Sequence, residues 1–247
     1  MREPATAGIA PALLDLSVAP PGPGAPRRVL DGLVDSTSRL LGLPAGAALI
    51  DDAGAVHGVT AAAPDGLRDA LAAGFGQGPG GDCARSGRPI HCDDLSTVRP
   101  RWLSFVAKAS AAGVSGAWAL PVRRDGDMFG ALVLLGPSGT TRPDLGTAGS
   151  LAEAAAIAVR HARSLRLAED ETEHLRVALR SRVVIEQAKG ALALHAGVGV
   201  DAAFDALRGH ARRRGSPLAE IARGVVDGDL DPGAVLPPRE RRAASGG

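Results

Sequence analysis

The chain has 247 residues, 45% of them hydrophobic but with only four Phe, two Trp and no Tyr, and a formal charge of +1. That length suits two modest domains, whose cores must be built from small aliphatic side chains. There is no run of about 18 apolar residues and no basic-then-apolar leader, which excludes a membrane span and a secretory signal and predicts a cytoplasmic protein.

Residues 1–26 hold six prolines among Ala and Gly, a composition that buries too little apolar surface to offset ordering entropy, so a disordered leader is expected. From Val29 the pattern is globular. "RVLDGLVDSTSRLLGL" places Leu30, Leu33, Val34, Leu40 and Leu41 at helical spacing. "AGAALIDD" and "AVHGVTAA" then flank a turn at Asp52, Ala53 and Gly54, and "GAWALPV" and "FGALVLLG" flank Arg124-Asp125-Gly126-Asp127, so both pairs read as hairpins. Asp-Gly is the stronger turn signal. Before the second hairpin, "PRWLSFVAKASAAG" puts Trp102, Phe105, Val106 and Ala109 on one helical face. The fold class is α+β, with an antiparallel sheet and flanking helices.

This stretch resembles a GAF domain, a small-molecule sensing fold, from about Pro26 to Leu151. The resemblance is carried by Gly78-Pro79, the "SGRPI" turn, an Asp-Leu pair followed by Trp102, and the "ALPV" and "GALVL" strands. Relatives often place Cys directly after the Gly-Pro pair, whereas Gly80 and Gly81 follow here and Cys83 comes later. The resemblance implies either a pocket for a small molecule, cyclic nucleotide or haem, with no residue set that singles one out, or a ligand-free dimerisation platform. Trp102 and Trp118 read either as pocket lining or as core.

From Leu145 to about His195 there is no proline, and a long helix is the simplest reading. Leu151, Ala154, Ala158, His161, Leu165, Ala168, Thr172, Leu175 and Leu179 follow steps of three and four, a heptad seam that two helices can share. Its small and polar members predict a marginal coiled coil in a homodimer. The alternative for Leu151 to Ala162 is packing on the chain's own sheet.

Between Arg176 and Arg214, eight basic residues face three acidic ones, a balance of +5 inside a nearly neutral chain. Helix one of this segment has Val184, Ile185, Ala188, Ala191 and Leu192 as its apolar face and ends at Gly197 and Gly199. Helix two runs from about Val200 to Arg213, with Ala203, Phe204, Leu207 and Ala211 inward. Gly215 stops it, Ser216 is placed to cap helix three, and Pro217 suits the first turn. With "SRVVIEQAKG", Ala203-Phe204, Leu207, Ala211, Leu218, Ile221, Ala222 and Val225, the segment resembles an ANTAR domain, the RNA-binding antitermination module of bacterial regulators. The resemblance implies a transcription antitermination regulator whose GAF domain controls binding to paired leader stem-loops. It also implies that Lys189, of the "AKG" element, meets RNA.

The residues themselves add Arg182, two turns before Lys189, then Arg212 and Arg213 at the end of helix two, and Gly190, where backbone or nucleotide approaches closely. The bland alternatives are a solvated face with an Arg182–Glu186 pair, a basic helix end opposing the macrodipole, and a helix-packing glycine. The expected organisation is a disordered leader at 1–26, a GAF-like sensory domain at 27–160, a connecting helix or coiled coil at 161–180, an ANTAR-like domain at 181–228 and a disordered tail at 229–247.

Three rival functions remain. Cys83, Cys92 and His91 resemble the setting of a methionine sulfoxide reductase-like GAF enzyme or redox sensor. Against this, two cysteines at this separation make neither a disulfide framework nor a zinc site, and no P-loop, metal-binding His pair or nucleophile elbow is present, so no enzyme activity is expected. A DNA-binding reading of "PLAEIARGVVDG" fails because Arg223 is its lone basic residue. A dimerisation module without RNA binding is the third. No receiver-type phosphoacceptor pattern is seen.

Overall fold

The computed structural model describes residues 6–17, 22, 24–51 and 53–236. The chain divides into two compact units, residues 1–167 and 168–247.

The first unit is built on a five-stranded antiparallel sheet of order β2-β1-β5-β4-β3. Helices α1 (Thr6–Ser17) and α2 (Ala25–Leu41) lead into β1 (Ala45–Ile50) and β2 (Val56–Ala62). Helices α3 (Asp65–Gly76) and α4 (Pro79–Ser86), strand β3 (Ile90–Cys92), a 3-10 turn at Leu95–Val98 and α5 (Leu103–Ala111) follow, then β4 (Val114–Arg124) and β5 (Asp127–Pro137). The Asp-Gly hairpin forms as expected. Asp125 and Gly126 are its two loop residues, both at positive φ (52° and 96°), the type I′ geometry that matches strand twist.

Alternation along the central strands sorts side chains to two cores. Leu132 and Leu134 of β5, with Trp118, Leu120 and Val122 of β4, pack with Leu30, Leu33 and Leu151. Val133 and Leu135 pack with Phe75, Cys83, Trp102 and Phe105. The expected face of the α5 segment holds, since Trp102, Phe105, Val106 and Ala109 are all buried. Small residues let the layers close. A Cβ at Gly80 would lie 2.7 Å from the Phe75 ring and 2.8 Å from Val133.

The structure departs from the disorder expected at the two ends. Within 1–26, Thr6–Ser17 is a helix whose Ala12 and Leu16, four apart, are buried in the same core as α2. Four-residue apolar spacing outweighs the local proline content there. Within 229–247, Pro232–Val235 forms a one-turn helix, α9, and buries Val235. Residues 1–5, 18–21, 23 and 237–247 lie outside the described residues.

Helix α6 runs from Leu145 to Ala196. In its first part Leu151, Ala155, Ala158 and Val159 are buried in the first unit's core, so Leu151 to Ala162 packs on the chain's own sheet, the alternative left open by the sequence. Further along, Leu165, Leu175 and Leu179 are exposed.

The second unit is a small bundle of the end of α6 with α7 (Val200–Arg214), α8 (Leu218–Asp227) and α9. Its core is Val184, Ala188, Leu192, Ala203, Leu207, Ala211, Ile221, Ala222, Val225 and Val235. Alanines at Ala188, Ala203 and Ala222, all fully buried, let the helices approach closely. Two details differ from expectation. Ala191 is exposed and Ala193 packs in its place, because the helix turns its core face towards Ala188 and Leu192. The cap residue of α8 is Pro217, with no side-chain cap from Ser216.

Candidate nucleic-acid interface

The C-terminal bundle shows one surface on which cations and an aromatic ring meet. Its origin is the phase of α7. With Ala203, Leu207, His210 and Ala211 buried, Phe204 falls at the edge of the core face and is half-buried, not inward as its apolar character suggested. Four and eight residues further, and so on the same side of the helix, stand Arg208 and Arg212.

From α6, Lys189 reaches across to this edge. Its Nζ lies 5.2 Å from the Phe204 ring centroid, and the Arg208 guanidinium carbon lies 5.6 Å from the same centroid. Lys189 is no free cation, because its side chain is only 16% exposed and its Nζ donates to both Glu186 oxygens, at 3.0 and 2.9 Å. The i,i+4 pair weighed for Arg182 and Glu186 is therefore replaced by Lys189–Glu186. Beyond Arg208, a shallow groove of about 300 Å³ is lined by Arg208, Ala211, Arg212, Gly215, Ser216 and Leu218. Lys189, Phe204, Arg208 and Arg212 thus make one track of positive charge around a hydrophobic face, a chemistry suited to phosphate and base together.

A GAF domain model matches residues 25–160, and an ANTAR domain model matches residues 173–226. The chain belongs to the GAF domain family and carries an ANTAR domain. Among curated proteins none matches it. Among solved structures it is similar to the GAF domain of an Acinetobacter phosphoenolpyruvate-protein phosphotransferase, at 11% identity and a TM-score of 0.47, covering 66% of this chain and 97% of that one. The corresponding domain from Coxiella burnetii gives 16% and 0.48, covering 66% and 96%. A free methionine-R-sulfoxide reductase from Neisseria meningitidis, in complex with its substrate, gives 14% and 0.47, covering 67% and 95%.

The remaining expected residues of the ANTAR domain separate. Arg182 is exposed and makes no ion pair among the described residues. Gly190 is exposed, and a Cβ there would meet nothing within 4 Å, so packing within the bundle does not require glycine. Arg212 joins Arg208 at the groove just described. Arg213 turns instead to a second groove of about 860 Å³, lined by Ala202, Ala206, Gly209 and residues of α9, and so stands apart from the Lys189 track. Arg208 and Phe204 are the residues that sequence reasoning did not select. Their signal was present as the i,i+4 run Phe204, Arg208, Arg212.

In the GAF domain both tryptophans belong to cores, each with its indole N–H donated to a carboxylate. Trp102 donates to Asp82 at 3.0 Å and Trp118 to Asp93 at 2.8 Å. Burial alone would raise the Asp82 carboxyl, but the Trp102 indole and the Arg101 and Arg85 guanidinium groups outweigh it and hold the group below its ordinary value. Asp93 is lowered by hydrogen bonds from Arg142 and then Trp118. Burial pushes the Cys83 thiol up to about 12. Burial also raises Cys92, whose sulfur donates to the Asp94 carbonyl at 3.3 Å. Neither is the low-pKa thiolate that redox chemistry needs. GAF and ANTAR are sensory and regulatory domains, in keeping with a protein that is not an enzyme. No single helix among the described residues is long and apolar enough to cross a membrane.

Proposed function

We propose that the chain is a cytoplasmic, homodimeric transcription antitermination regulator whose ANTAR domain binds paired stem-loops in a leader RNA under control of the GAF domain. The observation that carries this reading is the Lys189–Phe204–Arg208–Arg212 track on the matched ANTAR segment. Lys189, Arg208 and Arg212 contact phosphates, with Arg182 and Gly190 flanking them on α6 and Arg213 adding field from the far side of α7. Paired faces follow from dimerisation. Leu165, Leu175 and Leu179, exposed at 42%, 59% and 63%, continue the heptad row and supply its apolar contacts. Two weakly binding faces on one dimer gain affinity through effective concentration. The GAF domain is read as taking a small molecule whose binding alters the relation of the two faces.

The test is binding of the full chain to a two-hairpin RNA and to a loop-scrambled control across a salt series. Preference for the intact loops, with affinity falling as salt rises, supports the reading. Equal binding of both RNAs removes sequence-selective recognition, and a dimer that binds neither leaves a dimerisation module.

A further inference from the structure

We propose that Phe204 is the stacking platform for one unpaired RNA loop base, with Arg208 folding over that base and Lys189 and Arg212 holding the phosphates to either side. This rests on the RNA-binding reading above and assigns a residue and a chemistry within it. Phe204 is the one Phe, Tyr or Trp after Phe129 in a chain in which these three make up 2% of residues. It is not among the hydrophobic residues of the bundle's core, which are all aliphatic. A phenylalanine retained for packing alone belongs among Ala203 and Leu207, both fully buried. Instead its ring is half-buried with two cations over it.

The charge around the ring is incomplete. Two cations on one ring repel one another, and only Lys189 is neutralised, by Glu186. Among the described residues Arg208 is in no ion pair, and the adjoining groove adds Arg212 and the Ser216 hydroxyl without a carboxylate. The complement of such a site is a group with a flat π-face and an anion beside it, which describes a nucleotide. In a duplex both faces of each base are covered by its neighbours, so only an unstacked base offers one to a side chain. Lys189, tucked in beside the ring at 16% exposure, exchanges its Glu186 pair for a phosphate. Arg208, exposed on the outside, is the cation that must swing to admit the base and then close on it.

Full-length protein is titrated into a two-hairpin RNA carrying 2-aminopurine at each loop position in turn. Wild type is expected to quench one position strongly. Phe204→Leu, which keeps an apolar side chain, is expected to lose that quenching and bind roughly 5- to 150-fold more weakly, the range for one base–aromatic stack. Its salt slope is unchanged, because no charge is removed, whereas Arg212→Gln lowers the slope by about 0.7. Phe204→Trp restores quenching and affinity. An abasic site at the quenched position gives wild type the same loss and adds nothing to Phe204→Leu.

Phe204→Leu binding and quenching like wild type overturns the inference and leaves the RNA reading intact. Failure of wild type to bind either hairpin overturns both. Should Phe204→Leu lower the melting temperature of the bundle, the abasic RNA with wild-type protein decides alone, and undiminished affinity there overturns the inference. A blunt duplex bound as tightly as the hairpins does so as well.

Discussion

Replacing Lys189 by methionine separates the charge of this side chain from its body. Methionine keeps an unbranched apolar stem against Phe204 and removes the ammonium 5.2 Å from the ring. The lost cation–π contact is worth about 0.5 to 1 kcal/mol at a partly exposed site. The lost pair with Glu186, whose side chain is 59% exposed and readily resolvated, adds less than about 1 kcal/mol. The bundle should therefore lose about 1 kcal/mol and remain folded. For RNA the change removes one phosphate contact, worth about 1 kcal/mol or roughly fivefold in affinity at low salt. It also lowers the slope of log affinity against log salt by about 0.7. Between 0.05 and 0.2 M salt the deficit should then shrink about 2.5-fold. Fluorescence anisotropy with the two-hairpin RNA across that range measures it. A deficit equal at every salt concentration would refute the phosphate role and point to altered geometry, and an unchanged affinity would refute any role.

Glu186→Gln should act in the opposite direction, tightening RNA binding about 2- to 5-fold, since it frees Lys189 and removes a carboxylate within a few ångströms of the incoming phosphate. Weaker binding in the same anisotropy assay would show that Glu186 accepts a hydrogen bond from the RNA. Leu179→Lys should raise the dimer dissociation constant at least 100-fold, because the exposed leucine is lost from both copies at about 1.5 kcal/mol or more each; sedimentation at several concentrations reads this, and unchanged association removes the seam. Asp82→Ala should cost the GAF domain about 1 to 3 kcal/mol in denaturant unfolding at pH 7, because the Trp102 indole N–H is left buried without its partner. The folded Asp82 carboxyl lies below its unfolded value of about 3.9. Its contribution is therefore complete above that pH and fades as acid takes the solution down through the folded value, so wild type and Asp82→Asn should converge below about pH 4.

Where local signals agreed, the fold was legible from the residues. Asp125-Gly126 closes the hairpin as written, and the spacing of Trp102, Phe105, Val106 and Ala109 identifies the buried face of α5. The helix at Thr6–Ser17 was hidden because composition averages over a window, whereas packing needs only Ala12 and Leu16 at the right phase against α2. The choice between Ala191 and Ala193 is of the same kind. Both suit a helix interior, and only the neighbouring helices decide which one faces the core.

The candidate interface was half legible for a different reason. Charge and the "AKG" element pointed to Lys189, since a cation on an amphipathic helix has a visible role. Phe204 carries no such mark, because periodicity treats every apolar residue as core and cannot separate a ring inserted between helices from one lying at their edge. The distinction arises from α7's phase. Ala203 and Leu207 claim the interior, which turns Phe204 outward by one residue's rotation, onto the line of Arg208 and Arg212 and within reach of Lys189 from another helix. A cation from α6 and a ring from α7 become neighbours only after Ala188, Ala203 and Ala222 have let the helices close. The small core side chains that carry no chemistry of their own therefore set the spacing of those that do. A bulkier residue at Ala203, at the usual overpacking cost of about 1 to 3 kcal/mol, should disturb the ring–ammonium contact as well as stability.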